Sequence, residues 1–499
     1  MERVVKPWPA LWSLVIGFFM ILVDSTITSV AMPAIMKGLD ADITKALWVN
    51  SAYLLAFAVP LLITGRLGDR FGPKRVYLTG LVIFMISYAW CGFSTTADSL
   101  IIARVVQGLG ASMMTPQTMA VITRTFPPNN RGAAMGLWGS VAGLATLVGP
   151  VLGGVLVDGL GWEWIFFINL PVGVIGFVLA LRLVPRLTTH SHHFDNIGVA
   201  LSAAAMFCIV FGVQEGETFD WGTIVGPISV WSVIGTGVLI LGVFVWWQRR
   251  NTKEPLVPLA VFADRNFSLA NVAISTMGFA VTSLPLPFML YAQLARGFSP
   301  TQAALLLAPM AALSGLLAPL VGRLVDRVNP KFIAVGGFTC MMTGLVLLAS
   351  FMSSDTPLWL LIGPSALLGL GNAGVWAPLS TSATRNLPPH RAGAGAGVYN
   401  TMRQVGAVIG SSAIAAIMNA RLAVHLPQLG DQPSGVGSLQ TAGVLPDALR
   451  DGFASAMGEA LFLPAALLCI GFTAVWFFAP PSHDSAAATW RDRVSSAGT

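Results

Sequence analysis

Three ionisable side chains stand isolated inside long apolar runs: Asp24, Arg104 and Arg403. At the centre of a membrane helix a charge costs roughly 2.5–3.5 kcal/mol on insertion scales, so each of these residues is a candidate for function. A carboxylate held between desolvation and a neighbouring guanidinium can load and release a proton, which makes Asp24 the candidate proton carrier. Arg104 stays protonated and can only serve as its fixed partner. Asp24 lies about 13 residues, roughly 20 Å, from the inner end of its run. Arg104 lies about 6 residues, roughly 9 Å, from the outer end of its own. These are similar depths in a core of roughly 30 Å, so the two side chains are expected to face each other. The alternative is a permanent ion pair that only orders the bundle. Arg403 sits about ten residues into its run, near the midplane, where it binds an anionic group, balances charge, or donates to neighbouring carbonyls.

The runs that hold these residues are long enough to cross a bilayer. The chain has 499 residues, 55% hydrophobic and 10% charged, with mean hydropathy +0.73. Soluble domains carry about 25% charged residues, so this chain cannot cover a wet surface. Fourteen apolar blocks are read at 11–33, 46–65, 76–95, 98–122, 133–157, 164–184, 197–215, 223–247, 267–291, 301–322, 332–352, 358–382, 393–419 and 457–479. Lipid cannot satisfy backbone polar groups, so each block is predicted to be helical. The first block is too long for a signal peptide, contains Asp24 and shows no Ala-x-Ala site, so it is read as a span.

An even number of spans puts both termini on one side, and the basic residues assign that side. With the termini inside, the inner loops hold Arg66, Arg70, Lys74, Arg75, Arg124, Arg131, Arg323, Arg327 and Lys331 among others. The outer loops hold Lys37, Lys45, Arg296, Arg421 and Arg450. The net charge of +6 therefore reports orientation, not nucleic-acid binding. A repeat runs through the chain: Gly65–Lys74 returns loosely as Gly322–Lys331, and Arg131-Gly132 as Arg391 with Gly393. Two six-helix halves are expected, 11–186 and 266–480, joined by 187–265 with two extra spans, and flanked by cytoplasmic tails 1–10 and 481–499. Asp69, on the loop between the second and third spans, is expected at the cytoplasmic surface. With Arg70 and Arg75 and nearby helix N-termini it can form a latch between the halves.

Four stretches carry a family resemblance. The loop Gly65, Asp69, Arg70, Gly72 and Arg75 resembles the signature of the major facilitator superfamily. Leu22–Pro33, Arg104–Gly110 and Gly149-Pro150 with Gly153-Gly154 are similar to the first-, fourth- and fifth-helix motifs of its fourteen-helix drug:proton antiporters. Trp162–Gly173 and Asn400–Gly406 match that branch too, so the resemblance covers roughly residues 10–480. Pro73, Ser29 and Glu163 depart from the usual residues. The resemblance implies an all-α membrane fold of two pseudo-symmetric six-helix halves plus two central helices. It implies proton-coupled efflux of lipophilic or cationic compounds by alternating access. Its Gly149, Pro150, Gly153 and Gly154 would be the antiporter motif, and Asp69 a cytoplasmic gate.

Other chemistries lack their motifs. None of the six lysines follows a glycine, so no Walker A sequence exists, and no HExxH or Gly-x-Ser-x-Gly occurs. Cys91, Cys208, Cys340 and Cys469 lie far apart in sequence and form no framework. His190, His192 and His193 have no accompanying ligands and read as a solvated loop. The expected protein is a monomeric transporter of a bacterial inner membrane, with protons, lipids and a small molecule as partners. It needs neither cofactor, metal nor nucleic acid. The alternatives are export of one endogenous lipid or metabolite on the same fold, or a non-transporting scaffold.

Overall fold

The computed structural model describes residues 7–41, 43–127, 130–187, 189, 195–216, 218–219, 221–251, 255–388, 391–426 and 445–479. These residues are helical almost throughout. The helices are α1 Pro7–Gly38, α2 Ile43–Ala58, α3 Leu61–Phe71, α4 Pro73–Gly92, α5 Ala97–Thr125, α6 Arg131–Gly159, α7 Trp164–Phe167, α8 Asn169–Leu183, α9 Asn196–Gln214, α10 Val230–Arg250, α11 Arg265–Ser283, α12 Pro285–Leu290, α13 Pro300–Leu306, α14 Ala308–Val325, α15 Pro330–Phe351, α16 Leu358–Thr384, α17 Ala392–His425, α18 Asp447–Ala460 and α19 Phe462–Trp476. Among the described residues, eleven helices are long and apolar enough to cross a bilayer. The pair α2–α3, bent by 45°, adds a twelfth when it counts as one span. The bend falls at Pro60, which has no N–H to continue the helical ladder.

Helices α5 and α6 run for 29 residues each and are not among those twelve. In α5 the reason is visible. Arg104, Gln107, Ser112, Thr115, Gln117 and Thr118 are all buried, so its polar residues face protein instead of lipid.

Several boundaries differ from the sequence reading. Residues 223–229 form two short antiparallel strands, Thr223–Val225 and Ile228–Ser229, before α10 begins. Gly226 adopts φ 54°, Pro227 follows it, and the Ser229 capping box starts the helix only afterwards. The stretch 420–456, between the last two apolar blocks, is helical to His425 and again from Asp447, and Glu459 of the second helix meets His425 at 3.0 Å and Arg421 at 3.3 Å. The three histidines near 190 lie outside the described residues.

Two buried clusters account for most of the packing, one built largely from α1–α8 and one reaching through α11–α19. The hairpin α9–α10 joins one of them only through Phe244, with Val199, Leu201 and Leu241 packed against it. Met206 and Val210 of α9 pack on Ala58 of α2 and Val408 of α17, so this hairpin covers a line where the two groups of helices meet. Asp195 holds the hairpin closed. Its carboxylate accepts from Gly198 N at 2.9 Å, Trp247 Nε1 at 2.9 Å and Gln248 Nε2 at 2.8 Å. Desolvation pushes that carboxyl up, and these donors together pull it below its ordinary value.

The seam between the groups is made of glycine at one end of the bundle. A Cβ on Gly65 would come 2.6 Å from the Gly393 carbonyl oxygen and 2.9 Å from the Gly397 Cα. A Cβ on Gly136 would meet the Ala318 carbonyl oxygen at 2.5 Å and the Gly322 Cα at 2.8 Å. Helices α3 and α17, and α6 and α14, therefore touch backbone to backbone. Replacing Gly136 with Leu is expected to leave the protein inserted but hold this end of the seam apart. A single cysteine at Ala318, in a background without native cysteines, then labels at least about tenfold faster with a water-soluble maleimide. That factor corresponds to about 1.4 kcal/mol.

Candidate functional site

Asp24 of α1 and Arg104 of α5 lie fully buried and in contact. Arg104 Nη1 donates to Asp24 Oδ2 at 2.6 Å. A third buried residue closes the group: Gln107 Nε2 donates to Asp24 Oδ1 at 2.9 Å, while Gln107 Oε1 accepts from Arg104 Nη1 at 2.7 Å. Gln107 follows Arg104 by three residues and so shares its helix face. It stands within the Arg104–Gly110 motif but was not singled out as a site residue, and its spacing from Arg104 is the signal that could have found it. The guanidinium is fixed from α2 as well, donating from Nε to the Val49 carbonyl at 3.2 Å and lying 4.2 Å from the Tyr53 ring centroid. Arg104 Nη2 and the Tyr53 hydroxyl remain buried without hydrogen-bond partners. One carboxylate is thus balanced by one cation and one amide, with donor capacity left over beside it.

The antiporter-like motif meets this centre. A Cβ on Gly149 of α6 would collide with the Thr26 side chain and approach the Val23 carbonyl oxygen of α1, on either side of Asp24 in sequence. Gly149 is therefore required for α6 to lie against the helix that carries the carboxylate. Gly153 is buried, and Gly154 has open space around it, so the latter is not needed sterically. Pro150 lies within the helical course of α6.

Asp69 is not at a wet surface. It is 1% exposed, at the end of α3, and its oxygens accept from the backbone N–H groups of Gly393 at 3.0 Å and Ala394 at 2.9 Å. Those are first-turn amides of α17, which have no partner inside their own helix. The arginines beside the carboxylate are Arg124 at 3.5 Å and Arg66 at 3.9 Å, in place of the expected Arg70 and Arg75. Arg70 lies over the Phe71 ring, and Arg75 is exposed. Gly72 takes φ 89° in the turn from α3 to α4, a conformation that favours glycine.

The same contact occurs a second time with the two groups of helices exchanged. Asp326, after the end of α14, accepts from Gly132 N at 2.7 Å and Ala133 N at 3.0 Å, in the first turn of α6. Burial pushes the Asp326 carboxyl above its ordinary value, and the two amides act against that shift. Asp326 was visible in the repeat Gly322–Lys331 but was not singled out as a site residue. Arg131 adds a third tie, donating to the Thr384 carbonyl of α16 at 3.3 Å.

Arg403 is buried in α17, 8% exposed. Its Nε has no hydrogen-bond partner, and neither has the hydroxyl of Tyr399, one turn before it. Among the described residues no group of three or more His, Cys, Asp or Glu is placed to hold a metal.

A family model described as Major Facilitator Superfamily matches residues 14–411. The chain belongs to this superfamily. It is a multi-pass membrane transporter and not an enzyme. An uncharacterized MFS-type transporter of Mycobacterium tuberculosis is 50% identical over 95% of this chain and 81% of that protein. The tetracenomycin C resistance and export protein of Streptomyces glaucescens is 30% identical over 97% of this chain and 93% of its own length. The proton:xylose symporter XylE has the same fold, with TM-score 0.62 over 97% of this chain and 99% of that one, at 14% identity. In this superfamily member the two reciprocal carboxylate contacts join the ends of helices that belong to different halves of the repeat.

Asn at position 69 or 326 keeps an acceptor oxygen but loses the charge that a helix N-terminus favours, a change of about 0.5–2 kcal/mol per site. Asp69→Asn and Asp326→Asn are each expected to slow turnover about tenfold while substrate affinity moves less than about twofold. The double variant is expected to open this end of the seam more than either single one. The measurement is substrate affinity beside turnover. A large loss of affinity at unchanged turnover contradicts a latch.

Proposed function

We propose that this transporter is a proton-coupled antiporter that exports lipophilic small molecules by alternating access. The observation that carries this reading is the buried Asp24–Arg104–Gln107 group with Gly149 packed against the same stretch of α1. A carboxylate at membrane depth with a fixed counter-cation exchanges one proton when the bundle rearranges around it. The rearrangement is a rocking of two halves, 11–186 and 266–480, about the seam, with the 187–265 hairpin joining them. In the closed form described here, Asp69 and Asp326 each hold the first turn of a helix in the opposite half. Breaking both contacts frees that end.

The proposed topology has fourteen spans: the twelve apolar ones together with α5, which is long enough but carries inward-facing polar residues, and α6, which is equally long. Both termini then lie in the cytoplasm, and the latches with them, because Arg66, Arg70, Arg124, Arg131, Arg323 and Arg327 gather at that end. The relatives named above are bacterial, which supports an inner-membrane location, and the protein acts as a monomer driven by the proton gradient without a cofactor. Cationic compounds, the other class that the family resemblance implies, would have to share the interior with Arg403, so the lipophilic class is carried forward.

Asp24→Asn keeps the side-chain shape and cannot cycle a proton. In proteoliposomes it is expected to abolish transport driven by a pH gradient, to below about a hundredth of the native rate, while substrate-for-substrate exchange continues. Full gradient-driven transport by the Asn variant removes Asp24 from the mechanism.

A further inference from the structure

Arg403 is a cation deep in the membrane region that no described carboxylate answers. It lies eleven residues after Ala392, the first residue of α17, so its Cα is about 16 Å into the bundle at 1.5 Å per residue. That is near the middle of a core of roughly 30 Å. The other acidic charge at comparable depth, Asp24, is matched by Arg104. The Arg403 Nε is buried without an acceptor. Tyr399, four residues earlier on the same helix face, brings a second buried donor, its hydroxyl, also without a partner. Asn400 anchors the adjoining face to the other half, its Nδ2 lying 3.9 Å from Met119 Sδ of α5 and donating to the Ala396 carbonyl at 2.9 Å. The site therefore lies beside the seam that opens and closes.

A buried guanidinium without a counter-ion is unfavourable, and its planar fork matches an oxygen acid in two-point contact. With the Asp24–Arg104 pair neutral overall, Arg403 leaves an uncompensated positive charge at this depth among the described residues, which repels a cationic solute and attracts an anionic one. Resting on the export reading above, we propose that the exported compound carries an acidic oxygen group on an apolar body, and that Arg403 and the Tyr399 hydroxyl bind that group.

The test uses three fluorescent probes that share one dansyl-alkyl body and end in a carboxylate, its methyl ester or a trimethylammonium. Binding is measured on the full-length protein in phosphatidylcholine vesicles, and gradient-driven export in the same vesicles. The carboxylate is expected to bind at least about tenfold more tightly than the ester, and the ammonium most weakly. Arg403→Met is expected to weaken carboxylate binding at least about tenfold, to leave the ester within about twofold, and to melt no lower than the native protein, since it removes an unpaired buried charge. Arg403→Lys is expected to retain part of the preference, and it takes the place of the Met variant if that one does not fold. Equal or better binding of the ammonium, or carboxylate binding unmoved in both variants, overturns the proposal. Displacement of the carboxylate by added phosphatidylglycerol also overturns it, because the occupant is then a lipid headgroup. Arg403-dependent carboxylate binding without any gradient-driven transport leaves this site standing and removes the export reading.

Discussion

Hydrocarbon offers no partner to a polar group, and a buried charge is stable only where something other than lipid answers it. That constraint explains which helices touch. α1 and α5 meet where Asp24 needs Arg104 and Gln107, and α2 adds the Val49 carbonyl and the Tyr53 ring to hold the guanidinium. α3 meets α17 and α14 meets α6 where two carboxylates take up first-turn amides that have no partner in their own helices. The Arg403 Nε and the Tyr399 hydroxyl are buried without a described partner.

The two aspartate contacts also show how one sequence unit makes a symmetric device. Each is an anion at the positive end of a helix dipole, and each joins the two halves in opposite sense. Neither is strong: a helix cap is worth about 1 kcal/mol. A weak contact suits a seam that has to open, since an energy difference of a few kcal/mol is enough to exchange the dominant state. The glycines beside the carboxylates, Gly65 with Gly393 and Gly397, and Gly136 with Gly322, let the helices approach closely enough for the amides to reach.

The connection between the buried Asp24 group and the seam is short. Helix α6 carries Gly132 and Ala133 against Asp326 at one end and Gly149 against Val23 and Thr26 farther along. One rigid helix therefore touches both the latch and the segment that bears Asp24. In the proposed mechanism, a shift of α6 that releases Asp326 would also move the wall of the Asp24 group.

The sequence alone determined the fold class, because apolar length and the distribution of arginine follow from composition along the chain. It also isolated Asp24, Arg104 and Arg403, since a lone charge in an apolar run is visible without any structure. The similar depths of Asp24 and Arg104 followed from counting residues at a fixed helical rise. The repeat placed Asp69 and Asp326 in equivalent positions. What it could not supply was the partner of each. Gln107 was one polar residue among several in α5 until the helix faces were fixed. The cations and donors that meet Asp69 are Arg124, Arg66 and two backbone amides more than three hundred residues away. Amides are the same at every position, so no residue type announces them, and only the crossing of α3 over the start of α17 selects which two are used. The absence of a described counter-ion at Arg403 is likewise a property of the packed bundle, because a list of residues cannot say which carboxylates fall out of reach.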